Sequence, residues 1–381
     1  MKSTDYLILG AGASGLMLAY RMAKDPFFAN KSIRIVDKKQ NKGDDRTWCF
    51  WEKGMGEWDS LVVKEWNQIY FGAQGKTKKI PLGQYNYKMI RSAAFYQKLW
   101  LFILSKENFT FQQDEVNNIY SSEHEVEVRC SSKTYCAKQV FNSIPLNKTY
   151  LSQKKYPVLK QHFIGWFIKT ESDEFEDDTA TFMDFNLEQK GNTRFMYVLP
   201  TSKREALFEY TLFSEQLLSK DAYEKAIKNY LKQKNIHNYT ILEKEQGSIP
   251  MTVYPFANEN KKNVLNIGTA GGWTKASTGY TFANSSKKTK DLIGFIKNSN
   301  DLRSFKKKSK HQLYDLLFLD VLSQNNALGS KVFSSMFECV NVQTILKFLD
   351  EDSTLLEDLK IILSVPSIKF SKALFKRITS L

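Results

Sequence analysis

Three glycines, one aspartate and one glutamate carry the chemistry that is most readable in this chain. Gly10-Ala11-Gly12-Ala13-Ser14-Gly15 has the spacing G-x-G-x-x-G. Between a strand and a helix this pattern presents backbone N–H groups and a helix N-terminus to the pyrophosphate of a dinucleotide. Gly10 then makes the tight turn, Gly12 admits the pyrophosphate where a Cβ would stand, and Gly15 lets helix and strand pack closely, with Ala13 on the same turn. Asp37 follows Gly15 by 22 residues, near the spacing of an acid that holds the adenosine ribose; the alternative is a strand-end acid facing solvent. A second glycine turn, Gly268-Thr269-Ala270-Gly271-Gly272, returns towards nucleotide-binding geometry. A fingerprint within ten residues of Met1 and a second turn at Gly268, Gly271 and Gly272 fit FAD, whereas a nicotinamide enzyme would not require the second turn. Arg91, just before Ser92, is a pyrophosphate or ribityl contact or else a surface arginine.

Glu209 poses a different question. It lies in the apolar run Ala206-Leu207-Phe208-Glu209-Tyr210-Thr211-Leu212-Phe213, and strand alternation puts Leu207 and Glu209 on one face, Phe208 and Tyr210 on the other. An unpaired carboxylate is costly to desolvate, so burial would raise its pKa and keep it protonated, ready to give a proton. The alternative is an acid on an outward face.

The elements that must position these residues follow from period and turn signals. Tyr6-Leu7-Ile8-Leu9, an apolar-periodic stretch through Met22, and Ile33-Arg34-Ile35-Val36 read as a βαβ unit. Residues 48–83 read as excursions and hairpins, Ser92 opens a helix through Leu104, and residues 108–150 alternate as strands of a second sheet or ribbon. Strand patterns over 157–213 suit a sheet that covers a substrate. A helix follows near 221–234, then a strand at 264–267, and residues from 301 onward are helical by period. The expected fold class is α/β: a Rossmann-type FAD-binding domain with an inserted β-rich substrate domain and a helical C-terminal region. The boundaries read as 1–64, 86–148 and 258–300 for the discontinuous nucleotide domain, 65–85 and 149–257 for the substrate domain, and 301–381 for the basic helical region.

At 381 residues, with 42% hydrophobic and 14% aromatic residues, the chain can bury a large core and exceeds one small module. No run approaches the roughly 18–20 apolar residues of a spanning helix, and the N-terminus lacks a secretory pattern, so a cytoplasmic protein is expected. Cys49, Cys130, Cys136 and Cys339 have neither metal-ligand nor disulfide spacing; no metal site is expected. The net charge of +14 is uneven: residues 287–310 hold nine Lys/Arg and residues 366–381 hold four with no acid. An anionic membrane surface or nucleic acid could answer to this charge, or it is a solvated face; no nucleic-acid motif accompanies it. Self-association is left open.

Asp44-Asp45-Arg46-Thr47-Trp48-Cys49-Phe50-Trp51-Glu52 resembles the Asp-Arg-Thr-Trp-x-Phe segment of bacterial lycopene beta-cyclases. Gly268-Thr269-Ala270-Gly271-Gly272-Trp273-Thr274-Lys275 with Ser277-Thr278-Gly279-Tyr280 resembles that family's later glycine turn, and Ile249-Pro250-Met251 stands in the family's order. Leu207-Phe208-Glu209-Tyr210-Thr211 matches its Phe-Leu-Glu-Glu-Thr segment, with Glu209 on the first glutamate and Tyr210 replacing the second.

The resemblance implies a non-redox ring closure. A proton added at C2 of an acyclic ψ end leaves a cation at C1, the C5–C6 double bond attacks, and loss of the C6 proton gives a β ring. It implies lycopene as substrate, reduced FAD beside the cation, and NADPH as reductant. Arg46 joins the cofactor contacts, Glu209 is the catalytic acid, and Trp48, Trp51, Phe208, Tyr210 and Trp273 are substrate-lining candidates. A monooxygenase or prenyl-chain reductase on the same fold would share the glycines but not need Glu209; a non-catalytic adaptor would rest on charge alone. A polyene held in a bilayer gives the basic tail a role at the membrane: Phe370, Leu374, Ile378 and Leu381 share one face of a final helix, with Lys369, Lys372 and Lys376 opposite. An ordinary surface helix packed on a core is the alternative.

Overall fold

The computed structural model describes residues 3–306 and 309–379. In chain order the elements are β1 (Thr4–Leu9), α1 (Ala13–Lys24), β2 (Ile33–Asp37), β3 (Thr47–Lys53), β4 (Val62–Trp66), β5 (Gln68–Ala73), β6 (Lys76–Pro81), β7 (Tyr85–Arg91), α2 (Ser92–Leu104), β8 (Phe109–Gln113), β9 (Val116–Ser121), β10 (Val126–Cys130) and β11 (Thr134–Asn142). The second half runs α3 (Thr149–Ser152), β12 (Leu159–Thr170), β13 (Thr179–Asp184), β14 (Thr193–Pro200), β15 (Glu205–Ser214), α4 (Lys220–Gln233), β16 (Tyr239–Met251), β17 (Val264–Asn266), α5 (Phe282–Asn298), α6 (His311–Gln324), α7 (Gly329–Cys339), α8 (Val342–Leu349), α9 (Leu355–Ser364) and α10 (Ser367–Thr379).

The chain divides into two units, each assembled from three segments: Met1–Trp48, Arg91–Tyr156 and Val253–Lys308 form one, and Cys49–Ile90, Pro157–Thr252 and Ser309–Leu381 the other. The first is built on a sheet of order β8-β2-β1-β11-β10-β9, with β17 on β11. β8, β2, β1, β11 and β17 run parallel, as right-handed βαβ crossovers produce. Residues 108–150 therefore extend the Rossmann sheet as an antiparallel β9-β10-β11 meander instead of forming a second sheet. Leu7, Leu9, Val36, Val126, Val128 and Val140 make its core.

The second unit is an almost wholly antiparallel sheet of order β16-β12-β15-β14-β13-β5-β6. α4 covers one face, where Trp166, Phe208, Tyr210, Tyr223, Ile227 and Leu231 pack together. α7 covers part of the other: Phe333 stacks on Phe185 at 5.7 Å and Phe337 on Phe71 at 4.1 Å, and Gly329 lies so close to β14 that a Cβ there would meet Thr193 Oγ1. The helical C-terminal region is present as expected and packs as part of this unit. Residues 49–64 and 86–90 also belong here, because β3, β7 and β4 pair in a small sheet whose Trp66 indole donates to the Pro200 carbonyl at 3.1 Å.

Candidate functional site

In the first unit the fingerprint turn has the geometry its residues demand. Gly10 takes φ +89°, and a Cβ on it would stand 2.2 Å from Ser143 Oγ. Its N–H donates to the Val36 carbonyl at 2.8 Å, locking the turn between β1 and β2. A Cβ on Gly15 would lie 2.0 Å from the Gly10 carbonyl oxygen, so α1 rests on the turn as closely as backbone atoms allow. A Cβ on Gly12 would meet nothing within 4 Å. That open space stands at the start of α1, which begins at Ala13 with no side-chain cap on its first amides, leaving N–H groups for an anion.

Asp37 is buried at the end of β2. Its carboxylate accepts from the Ala11 N–H at 2.6 Å, the Lys39 N–H at 3.0 Å and Lys42 Nζ at 2.7 Å, so the acid touches the fingerprint turn itself. The second glycine turn arrives at the same place: a Cβ on Gly268 would stand 2.6 Å from Ser14 Oγ, and Ser14 Oγ lies 2.8 Å from Ser285 Oγ on α5. One on Gly271 would stand 2.2 Å from the Asn266 carbonyl, and one on Gly272 would enter the Phe256 ring.

Arg46 is exposed, its N–H bonded to Ser92 Oγ at 3.0 Å. The Arg91 guanidinium is engaged by Asp44, Nε to Oδ2 at 2.8 Å and Nη2 at 2.6 Å, which neutralises it at the start of α2. Trp48 stacks on Phe282 at 5.2 Å and meets Phe95 edge-on at 5.1 Å. Trp273 is core: 4% exposed, it packs on Phe305 and beneath Lys288.

In the second unit β15 turns Glu209 away from α4. Its cross-strand neighbours are Tyr197 on β14 and Gly165 on β12; Gly165 in turn faces Glu245 on β16. Directly opposed residues project to one side, so Glu209, Tyr197 and Glu245 share a face. Thr211 Oγ1 donates to Glu209 Oε1 at 2.7 Å. Glu209 keeps some accessible surface yet lies deep in protein, and burial pushes its carboxyl up to about 8, with the Glu245 charge adding to the rise and the Thr211 bond opposing it.

Phe208 and Tyr210 do not share that face. Both sit under α4, where Arg194 donates to the Tyr210 hydroxyl at 2.9 Å. Trp51 is buried in the same unit as Glu209, with Phe182 at 6.2 Å, and Phe182 reaches Tyr197 at the same distance. Sequence reasoning singled out neither Gly165 nor Glu245; only the pairing through β12 places them beside Glu209.

A family model described as lycopene cyclase protein matches residues 5–375. No curated protein sequence matches. Solved structures resemble the chain in fold: a geranylgeranyl bacteriochlorophyll reductase-like protein from Thermoplasma acidophilum (TM-score 0.67, 12% identity, 98% of each chain), the flavin-dependent brominase Bmp2 (0.57, 12%, 100% of each), and a mutant of halogenase PltM in complex with FAD (0.60, 11%, 98% of this chain and 86% of that one).

The contrast between Gly12 and Gly15 yields a prediction. Gly15→Ala forces α1 off the turn and lowers stability by about 2 kcal/mol or more, whereas Gly12→Val fills open space, leaves thermal melting of the ligand-free chain nearly unchanged, and removes binding of the dinucleotide. Retained binding in Gly12→Val, or an unchanged melt in Gly15→Ala, would contradict the cradle.

Proposed function

We propose, because this chain belongs to the lycopene cyclase protein family, that it binds FAD in the first unit and closes the acyclic ψ end groups of lycopene to β rings, with Glu209 as the proton donor. The residues fit the cofactor: an open cradle at Gly12, uncapped amides at Ala13, and an acid at Asp37 within reach of the turn are what a dinucleotide pyrophosphate and ribose require. Arg46, Arg91 and the turn of Gly268, Gly271 and Gly272 complete the proposed contacts. Bound FAD, reduced at the expense of NADPH, supplies negative charge to stabilise a cation.

The observation that carries the reading is Glu209. A carboxyl that keeps its proton at neutral pH in an apolar sheet is suited to protonate an alkene carbon. The proton passes from Glu209 to C2, the C5–C6 double bond attacks the cation at C1, and the C6 proton leaves, so substrate and product are isomers and no electron is consumed. Trp51 and Trp48 remain candidates for π-face stabilisation. Phe208 and Tyr210 support the sheet from the α4 side, and Trp273 holds the second glycine turn.

The substrate's long apolar chain makes a membrane surface the natural partner. Among the described residues no helix is long and apolar enough to cross a membrane. α9 and α10 instead expose Leu355 (72%), Leu356 (74%), Leu363 (71%), Ile368 (70%) and Phe375 (69%), with Lys360, Lys369, Lys372 and Lys376 also exposed. Leucines and lysines displayed together match the apolar boundary and anionic headgroups of a bilayer. The face differs from the one expected. Phe370 and Ala373 turn inward and Arg377 pairs with Asp320 on α6 at 2.6 Å, so the outward side of α10 carries Ile368, Leu374, Phe375 and Ile378, and α9 contributes as much; Leu381 and the basic residues Lys307 and Lys308 lie outside the described residues.

Two predictions test the reading. Glu209→Gln keeps shape and flavin but lowers lycopene cyclisation by at least about a hundredfold, the usual reach of a general acid; normal cyclisation would return Glu209 to a structural role. Leu356→Ser with Leu363→Ser and Phe375→Ser lowers affinity for phosphatidylglycerol-containing vesicles by at least about tenfold, since each loses roughly 1 kcal/mol of partial burial, while melting is unchanged. Unaltered vesicle binding would remove α9 and α10 from the docking surface.

A further inference from the structure

We infer that Glu245 is a positioning residue of the ring-closing site, its carboxyl reaching across Gly165 towards Glu209 so that the two form one acidic pair on a single face of the sheet. This rests on the reading of Glu209 as the acid. Gly165 is the register partner of both residues, Glu209 through β15 and Glu245 through β16. Two strand spacings put their Cα atoms about 10 Å apart, a gap that two glutamyl arms can largely close if nothing stands between them. Residue 165 itself puts no side chain there, and the space over it is shared by the Leu207 and Glu245 side chains. A Cβ there would lie 3.1 Å from Glu245 Cγ, 3.4 Å from Glu245 Oε1 and 2.9 Å from Leu207 Cδ1, so the Glu245 arm already lies over Gly165, on the side where Glu209 stands.

Burial singles Glu245 out among the charged residues of its strand. It is 8% exposed, while its neighbours Lys244 and Gln246 are exposed. It also answers a question raised by Tyr210. An acid at position 210 would point under α4, since consecutive strand residues face opposite ways; an acid on β16 opposite Gly165 faces with Glu209. The second carboxylate of this site thus comes from another strand.

Two carboxyls so placed resist double ionisation and hold one proton between them. The Glu245 charge favours the protonated form of Glu209, and once that proton has moved to C2 the pair carries two negative charges, which favours the cationic stage of ring closure. The C6 proton then restores the starting state, with no net change in protons or electrons. Other titratable groups on this face, among the described residues, include Tyr197 on β14, Glu243 on β16, the exposed Lys169–Glu205 pair at the far end of β12 and β15, and Tyr87, which meets Phe182. His162, Asp184, Arg194 and Tyr210 engage the α4 side, and α7 presents Phe333 and Phe337.

The test uses the flavin-loaded enzyme and two readouts: the infrared C=O band of a protonated carboxyl titrated with pH, and the alkaline limb of the cyclisation rate. Both midpoints should coincide in the native chain, and Glu209→Gln should abolish the band. Glu245→Gln should move both midpoints to lower pH by at least about one pH unit, with cyclisation retained below the new midpoint, and Glu245→Asp should restore most of the native value. A Glu245→Gln protein that loses stability or rate while its midpoints stay in place would overturn the inference and leave Glu209 as the acid. A band that survives Glu209→Gln would overturn the acid assignment itself, and the inference with it.

Discussion

A carboxyl group set into an apolar sheet must either find a positive partner or keep its proton. At Glu209 burial and the neighbouring Glu245 charge favour the proton and outweigh the one hydroxyl donor, Thr211, which favours the carboxylate. Much of the second unit follows from that requirement. β15 alternates so that Phe208 and Tyr210 anchor the sheet on α4 while Glu209 lies on the other side, where Gly165 leaves room for the Leu207 and Glu245 side chains. Aromatic rings from the C-terminal helices then cover part of that same side: Phe333 meets Phe213 and Phe337 meets Phe182. A strong acid could not protonate an alkene from such a place, because it would be ionised; a weak one can, because its environment has already made it weak.

The first unit obeys a different constraint, the approach of backbone to backbone. Gly15 against the Gly10 carbonyl and Gly268 against Ser14 bring two turns, some 250 residues apart in sequence, to the N-terminal end of α1. α5 is fastened to α1 there through Ser14–Ser285 and through Arg21, which donates to Ser286 and Thr289. A site assembled from distant segments explains why the unit is discontinuous and why the β-rich segments can be inserted without disturbing it.

What was legible in the sequence is what local covalent geometry imposes. Gly10 and Gly15 announce a tight turn and a close helix because those need glycine at that spacing, Asp37 ends its strand against that turn, and alternation alone separates Glu209 from Phe208 and Tyr210. What depends on long-range pairing was not legible. Nothing local marks Glu245 until the register through β12 is known. Residues 108–150 read as strands, but nothing local says that β11 will join β1. The inward side of α10 is chosen by Ala373, which is small, and by Arg377, whose partner Asp320 sits 57 residues away, so an apolar stripe drawn from the helix alone groups Phe370, which turns inward, with Leu374 and Ile378, which are exposed. Trp273 shows the same limit: its type suggests a ligand, and its packing on Phe305 makes it core.

Ring closure as proposed begins with a proton and consumes no electrons. Lycopene turned over by the flavin-loaded protein in deuterated buffer tests it most directly, with product analysed by mass and NMR while NADPH is counted. The account predicts one deuterium at C2 of each new ring and NADPH use far below one per ring. Product free of deuterium at C2, or formed with one NADPH or one oxygen consumed per turnover, would contradict it.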